Sequence, residues 1–219
     1  MAETLTLYSS PGSHHCRRVT LLIHEAGMDV ELRHVDVRPP GMGGENESDA
    51  FLALNPNAKV PVLVDDAEAV VTESNAIMIY LCERFRQSRF WPDDFQTRAK
   101  ILSWQFWQAS QFSPAADGLM AEHMMKPMFG AEPDKLRVEE FGSACRRWLS
   151  VLDQHLQGRE FLVGDGLTCA DLSVAAAMMY AHAADLPIPE FSHVANWLKH
   201  MQSRDSWHAT QPPPMPLDN

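Results

Sequence analysis

The hydrophobic period of this chain changes for good near residue 90, and that switch limits the folds open to it. Up to Phe85, short alternating runs trade places with three-and-four spacing; beyond Trp91-Pro92 strand signals disappear. Thr4–Tyr8 alternates, with Leu5 and Leu7 on one side, and predicts a first strand. Cys16, Val19, Leu22, Ile23 and Ala26 then recur at helical spacing, with Gly27 placed as a C-cap. Val30–Val37 carries apolar residues on both faces, which predicts a strand buried inside a covered sheet and parallel to the first. A Gly-rich loop, Pro39–Ser48, precedes a helical turn at Phe51–Leu54. Val60–Asp65 and Ala69–Thr72 read as a hairpin turning at Asp66–Glu68, and Glu73–Phe85 as another helix. The order βαβ then ββα predicts a four-stranded mixed sheet of the α+β class, followed by an all-α unit.

The expected divisions are 1–85 for the sheet domain, 86–94 for a linker, 95–210 for the helical domain and 211–219 for a proline-rich tail. In the helical part the spacing predicts one long stretch over Phe95–Met125, bent near Ser113-Pro114. Further helices are expected over Asp134–Leu156, ended by Gly158, and over Cys169–Ala184 and Phe191–Arg204. Leu167–Leu172 reads as a helix start, with Thr168 capping, Asp171 reaching back and Leu167 packing on Leu172.

Charge narrows the partners. Twenty-nine acidic against eighteen basic residues give −11, which argues against nucleic acid and anionic membranes. No apolar run approaches the ~20 residues of a membrane span, and Met1–Thr6 lacks the pattern of a signal peptide. Cys16, Cys82, Cys145 and Cys169 have neither C-x-x-C nor zinc spacing, so reduced thiols, a cytoplasmic setting and no metal are expected.

Three segments carry chemistry. Ser9-Ser10-Pro11-Gly12-Ser13-His14-His15-Cys16 joins the first strand to the first helix, where unpaired amides and the helix dipole favour an anion. Ser13 to Cys16 reads S-H-H-C, a redox pair with serine in first place. A hydroxyl there cannot exchange disulfides, but it can donate to another molecule's thiolate. Lowering a thiol from ~8.5 to ~6.5 takes roughly 2.7 kcal/mol, within reach of one charge-assisted bond (~1.5–3) plus a helix N-terminus (~0.3–1). Taken alone, Ser13 reads first as an ordinary N-cap and Cys16 as a buried packing residue, and His14 and His15 point in different directions, so the pair cannot easily chelate one metal. In Asn55–Leu63, a cis bond at Val60-Pro61 would turn the Val60 backbone outward toward an extended peptide, with Lys59 beside it as a solvated charge. Thr72–Ile77 opens a helix whose amides and Ser74 hydroxyl suit a carboxylate, while Glu73 suits an ammonium.

These segments together resemble a cytosolic glutathione transferase from Thr4 to about Trp207, through S-x-x-x-x-R-V from Ser13 to Val19, N-P-N-A-K-V-P-V-L, T-E-S-N-A-I and G-D-G-L-T-C-A-D. The serine-type theta, phi and zeta classes, in a bacterial-type chain, are the most similar. The resemblance implies a thioredoxin-like domain that binds glutathione as co-substrate, a helical domain holding a small hydrophobic electrophile, and a homodimer. It implies that Ser13 stabilises the thiolate, with Ser10 and Ser9 as competitors, and that Val60 and cis Pro61 pair with the cysteinyl backbone. Lys59 would meet the glycyl carboxylate, and Glu73 and Ser74 the γ-glutamyl head. His14, Trp107, Phe112, Met120 and Met124 are the candidate electrophile pocket, although such a stripe also suits core or dimer contact. The departures are informative: the zeta pattern S-S-C-S-W-R is absent, and His14 stands where beta-class relatives carry cysteine. A non-catalytic scaffold and a thiol reductase using Cys16 remain as other readings.

Overall fold

The computed structural model describes residues 5–39, 41–66 and 69–212. Thr4 of the expected first strand, Pro40 of the Gly-rich loop, Ala67 and Glu68 of the hairpin turn and residues 213–219 of the tail lie outside the described residues. Strand β1 (Leu5–Ser9) sits between β2 (Glu31–His34) and β3 (Val62–Asp65), with β4 (Ala69–Val71) beyond. β1 runs parallel to β2 and antiparallel to β3, and β3–β4 is the expected hairpin, pairing Leu63 with Val71. This is the mixed four-stranded sheet that the period changes predict.

Helix α1 (His14–Ala26) starts at Ser13, whose hydroxyl accepts from the Cys16 amide, and stops at Gly27. Gly27 takes φ 60°, a left-handed conformation that costs glycine little, and the Met28 amide closes the turn onto Ile23. Helix α2 (Asp49–Leu54) and α3 (Ser74–Arg84) complete the first half. β2 corrects the expectation of a buried strand: all four residues are exposed, and Leu32 keeps 51% of its surface. The reason is its place at the sheet edge, where β1 is its only neighbour; the burial expected of the run falls on Val35 just past it. β3 begins at Val62, after Pro61, which has no N–H to donate to the ladder; the Val60-Pro61 peptide is cis.

The second half is helical. Helix α4 (Phe95–Trp107), capped by Asp94, runs through π-turns at Gln108–Phe112 and Ala121–Met125, which bracket α5 (Ser113–Met120), and on into α6 (Lys126–Met128). Thus the stretch extends past Met125. Pro114, which has no N–H to donate, sits in the first turn of α5, and the widened turn lies immediately before it. Helix α7 (Lys135–Leu156) packs on α5. Gly118 permits that approach, since a Cβ there would stand 2.5 Å from the Phe141 ring.

Helix α8 (Cys169–Ala176) is shorter than the expected Cys169–Ala184. After Ala176 the amides bond three residues back, as Met178 to Ala175 and Ala181 to Met178, so the chain continues as turns. All eight α8 residues are buried, and the helix packs against α1, α3 and α4, which makes it the shared core of the two halves. The predicted capping box at its start forms: Asp171 accepts from the Thr168 amide at 3.0 Å and also from Leu162 N and Trp197 Nε1. Helices α9 (Ser192–Gln202) and α10 (Asp205–Ala209) close the fold, and α10 returns to α1. The Cys82 and Cys169 sulfurs touch at 3.6 Å in the core as free thiols. Among the described residues, no helix is long and apolar enough to cross a membrane.

Candidate active site

The β1–α1 junction is built as the sequence suggests. The Ser13 amide donates to the Ser10 carbonyl at 3.0 Å, and its Oγ accepts from Cys16 N at 3.3 Å. Ser13 adopts extended backbone, is partly exposed and lies at the positive end of α1, with its hydroxyl beside the Cys16 sulfur. Ser9 ends β1 and is buried, its carbonyl accepting from Val35 N. Ser10 contributes an amide, which donates to Cys16 Sγ at 3.3 Å. Cys16 is buried, and burial pushes its thiol up, against the opposing pull of Ser10, Ser13 and Ser9. Such a thiol is poorly suited to the exchange chemistry of a reductase.

The other two segments converge on this junction. Val60-Pro61 is cis, Pro61 is buried, and Lys59 is exposed on its N-terminal side. Asn55 Nδ2 donates to the Lys59 carbonyl at 2.7 Å and holds the loop. Glu73 sits at φ 66°, a strained left-handed conformation for a residue with a Cβ, and leads into α3 with its side chain exposed and Ser74 buried behind it. Arg18 ties α1 to α3 by donating to Asn75 Oδ1 at 3.2 Å, and it feels the Glu73 charge. Lys59 is close enough to His15 to help lower its pKa.

Arg18 is the residue that sequence reasoning missed. It is fully buried and also donates to Gln108 Oε1 at 2.6 Å and to His14 Nδ1 at 3.3 Å, while its Nε finds no partner among the described residues. Burial pulls its pKa down to about 10, which leaves it charged at neutral pH. The guanidinium has only donors, so His14 Nδ1 accepts, and the ring proton sits on Nε2, 3.0 Å from Asp117 Oδ1. Its one signal in the sequence is the arginine of S-x-x-x-x-R-V.

His14 and His15 do not diverge as expected: the ring centroids lie 3.9 Å apart, with the planes tilted by 36°. His15 keeps an exposed edge, yet its pKa is pushed down to about 2, by lost hydration first and then by the charges of His14, Arg18 and Lys59. Donor atoms of His14, His15 and Asp117 fall within 4.8 Å of one another. A metal on His14 Nε2 would move the ring proton to Nδ1, facing the Arg18 donor, so this cluster is poorly formed for a metal.

The expected electrophile stripe is split. Phe112 is 0% and Met124 2% exposed, so both belong to the core and not to an open wall. This follows from the π-turns, which shift the face that the helix presents. Trp107 stacks on Phe112 with centroids 5.7 Å apart, and Met120 packs partly buried against the same core. The helical-half groups that touch the junction are instead Asp117, through His14, and Tyr180, whose OH donates to the Gly12 carbonyl at 3.2 Å. A separate cavity of about 250 Å³ lies on the β2 side, lined by Ser10, Cys16, Arg17, Leu32 and Thr210 among others.

Comparison with known proteins agrees with this geometry. Residues 7–89 match the family description "Glutathione S-transferase, N-terminal domain" and residues 117–205 match "Glutathione S-transferase, C-terminal domain". A probable glutathione S-transferase of Oryza sativa is 30% identical over 207 residues, covering 92% of this chain and 93% of its own. A glutathione transferase structure from Populus trichocarpa superposes with TM-score 0.84 at 27% identity, over 94% of this chain and 97% of that one. The nitrogen regulation fragment of the yeast prion protein Ure2p gives TM-score 0.82 at 26% identity, over 95% and 96%. Motif, fold and relatives agree, and the chain belongs to the glutathione S-transferase family.

Proposed function

We propose that this chain is a transferase that binds glutathione across the sheet edge, holds its thiolate at Ser13 and directs it at a small electrophilic carbon. The observation that carries this reading is the hydroxyl of Ser13 at the first turn of α1, with its O–H uncommitted to the backbone. The cis Val60-Pro61 peptide would pair with the cysteinyl unit, Lys59 with the glycyl carboxylate, and Glu73 with Ser74 with the γ-glutamyl head. In the reaction the sulfur forms a bond to carbon, the leaving group departs with its electron pair, and the thiol proton has already passed to solvent. Ser13 lowers the cost of that ionisation, and Arg18 adds a buried positive charge behind it. Isomerisation or reductive cleavage would begin from the same thiolate. The units 1–85 and 95–210 would then supply the thiol site and the electrophile wall.

A homodimer in the cytoplasm fits this reading. Phe95 and Phe106 share one face of α4 and stay 75% and 68% exposed, as expected of residues that a second copy covers. The test is isothermal calorimetry with reduced glutathione, followed by conjugation assays on halo-nitroaromatic, epoxide and enone substrates. Binding together with turnover of any of these supports the reading. The likeness to the nitrogen regulation fragment of Ure2p favours a second reading, a non-catalytic binding protein on the same fold. Glutathione binding without turnover of any substrate in the panel would favour that reading.

A further inference from the structure

The helical half meets the residue next to Ser13 through a carboxylate, Asp117 at His14, and not through the apolar stripe that was expected. Phe112 and Met124 are sealed in the core, whereas Asp117 on α5 reaches the junction with its side chain 39% exposed. His14 stands against that carboxylate: Arg18 donates into Nδ1, which leaves the ring proton on Nε2, 3.0 Å from Asp117 Oδ1. Asp117 Oδ2 takes no hydrogen bond from the described residues. Arg18 carries the compensating charge but is fully buried against the His14 ring, whereas the Asp117 side chain keeps an exposed part. Gly118, which lets α7 pack closely on α5, follows Asp117 directly and keeps this turn of the helix in place.

Resting on the transferase reading, we propose that Asp117 is a specificity-determining residue of the electrophile site. It selects compact electrophiles with a hydrogen-bond donor or positive charge near the reacting carbon, and it disfavours those carrying a carboxylate. A fixed anion recognises cations by attraction and rejects anions by repulsion as well as by the cost of burying two like charges. Arg18 and His14 are positioning residues in this scheme. They hold Asp117 in place without touching the substrate.

The experiment compares three aryl chlorides with glutathione: neutral chlorodinitrobenzene, anionic chlorodinitrobenzoate and a cationic chloronitrophenyl-trimethylammonium, each kcat/KM divided by its uncatalysed rate. In the native protein the cation should be preferred over the anion, and in Asp117→Asn that ratio should fall about tenfold, the scale of one partly screened charge interaction. Asparagine keeps an acceptor for His14 Nε2–H, and Asp117→Glu, which restores the charge, should recover the preference. Inhibition by glutathione S-conjugates of matching charge should shift in parallel, a readout independent of the chemical step. Turnover with the same charge ratio in native protein and Asp117→Asn, or a native preference for the anion, overturns the role of Asp117 and leaves the transferase reading standing. No turnover of the three, with an epoxide or enone turned over, overturns the role of Asp117 alone; no turnover of any of these classes, in native protein that binds glutathione, overturns both.

Discussion

The two ends of α1 both reach the helical half through charged side chains, and they do so in opposite ways. At its C-terminal end Glu25 accepts from Arg204 Nε at 2.6 Å and Nη2 at 2.8 Å, and from Ser206 Oγ at 2.6 Å. Glu25 there has a partner of opposite sign, whereas Arg17, beside Arg18 in the first turn, bonds the Trp207 carbonyl at 2.8 Å and lies over the Trp207 ring. At the N-terminal end, Arg18 meets no carboxylate directly and leaves its Nε unpartnered among the described residues, and it hands its hydrogen bonds to Asn75, Gln108 and His14. A satisfied pair holds two halves together; an under-satisfied buried cation costs free energy that only a nearby anion recovers. The difference teaches that the N-terminal end is shaped for a charge that arrives with a ligand, and the C-terminal end for stability.

Separating activity from stability at the two ends would break that contrast. The largest effect is expected for Arg18→Met, which should lower kcat/KM for conjugation about 100-fold, the scale of a lost electrostatic contributor at a reacting anion. Urea unfolding of the same variant should show a smaller loss of stability than Glu25→Ala. Equal loss of activity in both variants would dissolve the distinction. Glu25→Ala should cost about 2 kcal/mol in urea unfolding, since it removes a bidentate charge-assisted pair, with kcat/KM kept within about twofold.

The pH dependence sharpens the second case. Burial alone would raise the Glu25 carboxyl, but the Arg204 and Ser206 bonds outweigh it, and its pKa lies below the ordinary range. A depressed folded-state pKa contributes stability that is present above the unfolded value of ~4.3 and is lost as pH falls through the folded one. The stability gap between native protein and Glu25→Ala should therefore close at acid pH and stay constant from pH ~5 upward. The smallest effect belongs to Cys16→Ser. Its thiol is buried and pushed up, so conjugation should hold within about twofold, whereas a reductase would lose all disulfide exchange.

Local patterns were legible wherever they alone decide the outcome. The caps at Ser13, Gly27, Thr168 and Asp171 and the hairpin pairing could be read from neighbouring residues, whereas the cis Val60-Pro61 peptide was implied only by the family resemblance, since neighbouring residues alone favour trans. What escaped depends on distant partners. The exposure of β2 follows from its edge position, which periodicity does not encode. The shortened α8 reflects a buried alanine run that bonds three residues back. Phe112 and Met124 went to the core because π-turns changed the helical phase, and nothing in an apolar stripe announces such a turn. Asp117 carries no motif and Arg18 only the arginine of S-x-x-x-x-R-V; their contacts appear only once α1 and α5 meet across His14.

The central claim, that Ser13 holds the glutathione sulfur as an anion, is tested most directly by the ultraviolet thiolate absorbance of bound glutathione across pH in native protein and Ser13→Ala. The account predicts a thiolate near neutral pH in the native complex. In Ser13→Ala the titration should move up toward the ~8.5 of a free thiol, with calorimetric affinity for glutathione largely retained. A thiolate signal unchanged by the substitution would contradict it.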